Sequence, residues 1–207
     1  MKTVIISGSN TYDLNFLKKE NFNNCQIIAV DFGLKICHKL KLQPDIIIGD
    51  FDSINESLLN LYRNKSKIVK FNKQKNKSDT ELAVDIALKK SSDNIIIYNA
   101  LGSRIDHEIF NIYLLFKKEN KIIIKSKEGE IFALKENGKN RIKIKEGTTF
   151  SLIPIGKIYN LTIKGAQYEI NNKDVSMNTL TLSNRSLENI LEISFKKGKL
   201  LFYKFKG

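Results

Sequence analysis

Short isoleucine-rich runs alternate with helix-patterned segments through the first half of this 207-residue chain, and no other feature constrains its fold as tightly. Residues 3–7, 27–30, 45–48, 67–71 and 94–98 are apolar or β-branched pieces of strand length. Between them, residues 32–42 place Leu34, Cys37 and Leu40 at spacings of three. Residues 78–90 put Leu82, Ala83, Ile86 and Ala87 on one helical face, and residues 105–118 do the same with Ile109, Ile112, Tyr113 and Phe116. Parallel strands need long crossovers, usually helical, so this alternation predicts an α/β fold whose parallel sheet is covered on both faces.

After about Lys121 the texture changes. Strand-like pieces at 121–125, 131–134, 141–145, 148–154, 158–164, 179–182, 191–196 and 199–205 follow one another, separated by turn signals such as Asn137-Gly138 and Lys197-Gly198. This pattern predicts an all-β sandwich or barrel. The expected organisation is a parallel-sheet catalytic domain over residues 1–125 followed by a β-domain over 126–207.

Composition removes several classes. The formal charge is +13, but lysine far outnumbers arginine and is spread along the chain. Even the densest basic stretch, Lys65 to Lys77, runs straight into an acidic motif. Such a balance attracts polyanions at low salt. It lacks the arginine clusters and stacking aromatics of a dedicated nucleic-acid surface, so no specific nucleic-acid partner is expected. Cys25 and Cys37 are the only cysteines, which argues against a disulfide scaffold or structural zinc. No apolar run reaches membrane-span length, and the opening MKTVIISGSN reads as a first strand rather than a signal peptide. The expectation is a cytoplasmic protein with no membrane partner.

The chemistry concentrates at predicted strand-to-helix transitions. Eight of the ten aspartates lie between Asp31 and Asp106 despite the basic background. Val30-Asp31-Phe32-Gly33 follows the second strand, and Gly49-Asp50-Phe51-Asp52-Ser53 the third. Lys75-Asn76-Lys77-Ser78-Asp79-Thr80-Glu81 opens the next long helix, and Asn99-Ala100-Leu101-Gly102-Ser103-Arg104-Ile105-Asp106-His107 follows the fifth strand. Parallel strands bring all four loops to one sheet edge, where ligands of open α/β sheets bind. Asp50 and Asp52, two residues apart, suit one hard cation of the kind that Mg²⁺-phosphate sites hold. Each group also has a plainer reading. Ser78-x-x-Glu81 and Ser103-x-x-Asp106 fit capping boxes, and His107 reads as a packing or hydrogen-bonding residue. Asp45 and Asp85 read as structural.

In this order and spacing, Asp-x-Gly, Pro-Asp-x-x-x-Gly-Asp-Phe-Asp-Ser, Lys-x-Lys-Ser-Asp-x-Glu-x-Ala and Leu-Gly-x-Arg-x-Asp-His resemble the thiamine pyrophosphokinase family. The likeness continues weakly through Ser151-Leu152-Ile153-Pro154, Gly165-Ala166-Gln167-Tyr168 and Leu182-Ser183-Asn184. It implies transfer of the β,γ-pyrophosphoryl group of ATP to thiamine, giving thiamine diphosphate and AMP. By motif match, Asp50, Asp52 and Asp79 would hold Mg²⁺ and, with Asp106, form the catalytic acidic set. Asp31, Gly33, Gly49, Ser53, Lys75, Ser78, Gly102 and Arg104 would bind the nucleotide. The resemblance also implies a homodimer with thiamine at the subunit interface, where Ser183 and Asn184 would contact it.

The chain departs from the family pattern at Phe32 and Ser103, where glycine is usual, and at Asn76, where an acid is usual. The Asp50-x-Asp52 motif also fits haloacid dehalogenase-like phosphatases. A pyrophosphokinase acting on a pterin alcohol would keep the same acidic set, and a basic nucleic-acid-binding protein would leave it unexplained.

Overall fold

The computed structural model describes residues 2–52, 54–71, 76–90, 92, 94–102 and 104–206, which divide into two compact units. The first unit comprises residues 1–114 and 121–127. Its strands are β1 (Lys2–Ile6), β2 (Cys25–Val30), β3 (Ile46–Gly49), β4 (Lys67–Lys70), β5 (Ile95–Tyr98) and β6 (Ile122–Lys125). All pair in parallel, in the order β4-β3-β2-β1-β5-β6. The last of them lies just past the change of texture near Lys121 and extends the parallel sheet from β5.

The helices of this unit are α1 (Leu14–Leu17), α2 (Gly33–Lys39), α3 (Glu56–Tyr62), α4 (Asp79–Lys89) and α5 (Ile105–Leu114), the last running into a 3₁₀ turn. Strand side chains alternate between faces. Val4, Ile6, Ile27, Ala29, Ile47 and Tyr98 form one core with Leu17 of α1, Leu34 and Ile36 of α2 and Tyr62 of α3. The intervening residues, Ile5, Ile28 and Ile48 among them, are also fully buried, and α4 packs over β1, β2 and β3. A sheet buried on both sides explains why its strands read as continuous isoleucine runs.

Strand order reverses between β1 and β5. From β1 the chain steps outward through β2, β3 and β4, then crosses back to place β5 on the other side of β1. The loops after these two central strands therefore leave in opposite directions and open a crevice beyond their carboxyl ends.

The second unit comprises residues 115–120 and 128–207. It contains β7 (Gly129–Ala133), β8 (Gly138–Lys143), β9 (Thr149–Lys164), β10 (Ile170–Val175), β11 (Asn184–Arg185), β12 (Ile190–Phe195) and β13 (Lys197–Phe205), paired antiparallel. The 16-residue β9 joins two ladders: its first half pairs with β13 and β11, its second with β12 and β10. Phe150, Leu152, Leu161, Ile163, Leu191, Ile193, Leu200 and Phe202 form a core of their own. Two sequence expectations are corrected here. The pieces at 148–154 and 158–164 are one strand, and 179–182 is not a strand, although Leu152 and Thr181 exchange hydrogen bonds of 2.7 and 2.8 Å.

Candidate active site

Three loops and three helices of the first unit surround a cleft of about 690 Å³ at the β1–β5 crevice. Its walls include Ser7 to Asn10 after β1, Asp31 and Phe32 after β2, Ser78 and Asp79 at the start of α4, Asn99 after β5, and Arg104, His107 and Asn111 of the α5 region. The lining is mostly polar, as suits a charged ligand.

Asp31 and Gly49 occupy adjacent strand ends. The Asp31 amide donates to the Ile48 carbonyl at 2.9 Å, continuing the β2–β3 ladder by one rung, and Asp31 takes a positive φ of 44°. Its carboxylate lies directly over Gly49, where a Cβ would stand 1.8 Å from Oδ1. Gly49 thus makes room for Asp31. Gly33 serves the packing of α2, since a Cβ there would lie 2.1 Å from the Ile6 carbonyl oxygen.

Beyond Gly49, the Asp50 carboxylate accepts the Asp52 amide at 3.1 Å in an Asx turn. Phe51 between them has φ of 64°, a conformation costly for a bulky residue and concentrated at functional sites. Asp50 is half-buried and Asp52 exposed. Neither lines the main cleft, and Ser53 lies outside the described residues, as do Lys75 and Ser103.

Asp79 begins α4. Ser78 caps that helix, its hydroxyl accepting the Glu81 amide at 3.1 Å, and the cap with Asp79 and Glu81 in the first turn stabilises the helix start by ~1 kcal/mol. The next residue, Thr80, bonds Ser7 Oγ at 2.8 Å and ties α4 to the end of β1. Asp45 and Asp85 are structural, as expected: Asp45 accepts the Ile27 amide at 2.7 Å and Asp85 pairs with Lys77 at 2.7 Å.

Arg104 and Asp106 form an exposed two-point pair, with contacts of 2.5 and 3.2 Å. The guanidinium holds the Asp106 carboxyl at about 2. Gly102, beside this pair, donates its amide to Glu108 at 2.7 Å. His107, read from sequence as a packing or hydrogen-bonding residue, is exposed and lines both the main cleft and a second hollow formed with Asn76, Lys77, Ser78, Asp106 and Phe110. Phe32, where glycine was the family expectation, packs against Tyr12 at 5.8 Å between ring centres and lies under the Lys35 ammonium at 4.9 Å.

The structure therefore gathers Asp31, Ser78, Asp79 and Arg104 around one cleft and places Gly49, Asp50, Asp52, Gly102 and Asp106 at the strand end, loops and helix start beside it on the same edge. Among the described residues, no three Asp, Glu, His or Cys side chains converge on one point. The sequence reading missed Ser7 to Asn10, Lys35, Glu108 and Asn111. Only the first had a visible signal, a Ser-Gly-Ser-Asn turn immediately after the first strand.

In the second unit, Ser183 is exposed with φ of 54°, and its amide donates to Ser151 Oγ at 3.0 Å. Asn184 is buried. Its amide group donates to the Tyr168 carbonyl at 2.8 Å, and its side-chain oxygen accepts the Tyr168 and Arg185 amides at 3.0 and 2.8 Å. The side chain is thus bound to backbone, and it presents the exposed Tyr168 to solvent.

An α/β sheet with a polar cleft at its switch point, followed in sequence by an antiparallel β unit, defines a class of two-part ligand-binding proteins. Comparison with known proteins narrows that class to one. Residues 17–125 match the catalytic-domain model of thiamin pyrophosphokinase, and residues 135–200 match its vitamin B1 binding domain. The chain belongs to the thiamine pyrophosphokinase family. It is 32% identical over 180 residues to thiamine pyrophosphokinase of Bacillus subtilis, an alignment covering 84% of each chain. It is 30% identical to thiamine pyrophosphokinase 1 of rice, over 74% of this chain and 61% of that one. The crystal structure of the Bacillus subtilis enzyme superposes with a TM-score of 0.86 at 27% identity, covering 100% of this chain and 99% of that one. The Candida albicans thiamin pyrophosphokinase shares the fold, with a TM-score of 0.79 at 22% identity over 99% of this chain and 89% of the other. These matches favour neither the phosphatase, the pterin nor the nucleic-acid alternative.

Proposed function

We propose that this chain transfers the β,γ-pyrophosphoryl group of ATP, as one unit, to the hydroxyl of thiamine. The carrying observation is the switch-point cleft, which brings Asp31, Ser78, Asp79 and Arg104 together in a chain of this family. The thiamine hydroxyl oxygen attacks the β-phosphorus, the bond from that phosphorus to the α-phosphate oxygen breaks, and AMP leaves. The hydroxyl proton passes to a carboxylate on this edge. Such transfers depend on positioning and charge neutralisation more than on covalent chemistry by the protein.

Residues 1–125 form the catalytic, ATP-binding domain in this reading, and residues 126–207 the β-sandwich that binds thiamine. Asp50, Asp52, Asp79 and Asp106 are the catalytic acids. Asp31, Gly33, Gly49, Ser53, Lys75, Ser78, Gly102 and Arg104 serve the nucleotide, and Ser183 and Asn184 serve thiamine. Their donor chemistry fits magnesium: Asp50 and Asp52 offer hard oxygens from one turn, and that ion needs only one or two carboxylates when phosphate oxygens complete its shell. Asp79 would join them. Bound there, the ion would neutralise the triphosphate.

A homodimer with thiamine at the subunit interface is part of the same reading. It is supported by large apolar side chains left exposed on α5 (Ile105, Ile109, Phe110, Tyr113) and in the β unit (Tyr168, Leu180, Leu182, Leu187). The cytoplasm is the proposed site of action, and among the described residues no helix is long and apolar enough to cross a membrane.

The test is AMP release from Mg-ATP with and without thiamine, with products identified by mass. Thiamine-dependent AMP and thiamine diphosphate are expected. AMP formed only with another alcohol would move the acceptor, and no turnover with any alcohol would remove the reading.

A further inference from the structure

The ladder between the two central strands ends at the Ser7 amide, which donates to the Tyr98 carbonyl at 2.9 Å. One residue further on, a side chain takes over. Asn99 adopts φ of 58°, a left-handed conformation that asparagine tolerates better than most residues. In that conformation its amide nitrogen donates to two carbonyls of the opposite loop, Ser7 O at 3.1 Å and Ser9 O at 2.5 Å. The loops after β1 and β5 are thereby clamped at the point where the topology would let them diverge.

The clamp is itself anchored. Buried Asn111 of α5 donates to the Ala100 carbonyl at 2.8 Å, and Glu108 receives the Gly102 amide. At the strand end, the Tyr98 hydroxyl donates to Glu20 at 2.6 Å, and Lys125 approaches the same carboxylate at 3.6 Å. Asn99, Glu108, Asn111, Ser7 and Ser9 all line the cleft.

We infer that Asn99 is a positioning residue that sets the width of the nucleotide cleft by holding the Ser7–Ser9 backbone to the β5 loop, with Asn111 fixing Asn99's own loop to α5. The ligand it serves is a nucleoside triphosphate, an identity that rests on the pyrophosphokinase reading. Asn99 itself does no chemistry. Its contribution is a cleft whose walls are already placed before the ligand arrives, which removes an ordering cost from binding.

The test compares wild type with Asn99→Gly, which keeps the left-handed backbone and removes the clamp, and with Asn99→Asp, which turns a carboxylate towards the same carbonyls. ATP binding with magnesium is measured by calorimetry, turnover by AMP release, and folding by thermal denaturation. For Asn99→Gly the ATP Kd is expected to rise about tenfold, or ~1.4 kcal/mol, with KM for ATP rising in parallel. KM for thiamine should stay near wild type and kcat should fall far less. Asn99→Asp should weaken ATP binding further. Should the carboxylate variant fail to fold, the glycine variant still decides the matter. Unchanged ATP affinity in folded Asn99→Gly would overturn the inference, as would equal rises in both Michaelis constants. Wild-type ATP binding without thiamine-dependent turnover would sink the pyrophosphokinase reading and leave the clamp standing on its binding data.

Discussion

Gly49 and Asp31, at the ends of neighbouring parallel strands, interlock: the Asp31 carboxylate occupies the space that any side chain at Gly49 would need, with 1.8 Å between Oδ1 and a Cβ built there. Backbone direction adds to this, because Gly49 has φ of 156°. Gly49→Ala is expected to displace Asp31 and the Asp50–Asp52 turn together. Overpacking of this kind destabilises by ~1–3 kcal/mol, and kcat/KM should fall at least about tenfold. Denaturant unfolding and steady-state kinetics on the same preparation check it; an alanine variant with both quantities at wild-type values would show that the contact is dispensable.

Asp52 is exposed and stands on a strained turn, so its amide isostere should leave the fold almost intact, within ~0.5 kcal/mol. If it holds magnesium against the triphosphate, Asp52→Asn should lower kcat by ~10²–10³, the scale of losing one electrostatic contact to a transition state. Rates measured across a magnesium titration separate weakened metal binding from lost chemistry. Near-normal turnover would remove Asp52 from the catalytic set.

The Arg104–Asp106 pair makes a pH prediction. Arg104 holds the Asp106 carboxyl at about 2, against an ordinary 3.8. A carboxyl depressed in the folded state contributes stability that is complete above its unfolded value and lost as pH falls through its folded one. The window here runs from about pH 4 down to about pH 2. Both side chains are exposed, so solvent screening keeps the effect on stability small. The sharper readout is carbon NMR of the carboxyl. Arg104→Gln should return its midpoint towards the usual carboxylate range, and an unmoved midpoint would mean that the guanidinium is not the cause.

Asn184 holds the Tyr168 backbone from both sides and is buried while doing so. Asn184→Ala leaves those backbone groups without their partner, at a cost of ~1–3 kcal/mol. A folded Asn184→Ala protein should also bind thiamine more weakly than wild type while its ATP affinity is unchanged, because the change is confined to the β unit. Calorimetry with each ligand separates the two, and equal affinity for thiamine would limit Asn184 to a stabilising role.

Much of the parallel sheet was legible because its central strands are completely buried. Isoleucine runs such as Ile46–Gly49 and Ile95–Tyr98 could be read because both faces are covered and turn residues bound them. Helices α1 and α3, of four and seven residues, were missed; α2 is as short as α3, but Leu34 and Cys37, three apart, gave it a visible period. Strand β10 was missed because of its six residues only Val175 is buried. Strand β9 looked broken because Pro154 and Gly156 read as punctuation, yet Gly156 simply takes φ of 81° in open space while the strand continues. At the site, aspartates after strands stood out against a lysine-rich background. Asn99 fell within one of the loops that carry them but its role did not show, and Asn111 did not stand out at all, since their amides act on backbone atoms that only the fold brings near.

Transfer of two phosphoryl units in one step is the central claim, and phosphorus NMR of the reaction of Mg-ATP with thiamine tests it most directly. The account predicts AMP and thiamine diphosphate appearing together in equal amounts, with no ADP and no thiamine monophosphate at early times. ADP with thiamine monophosphate as the first products would contradict it.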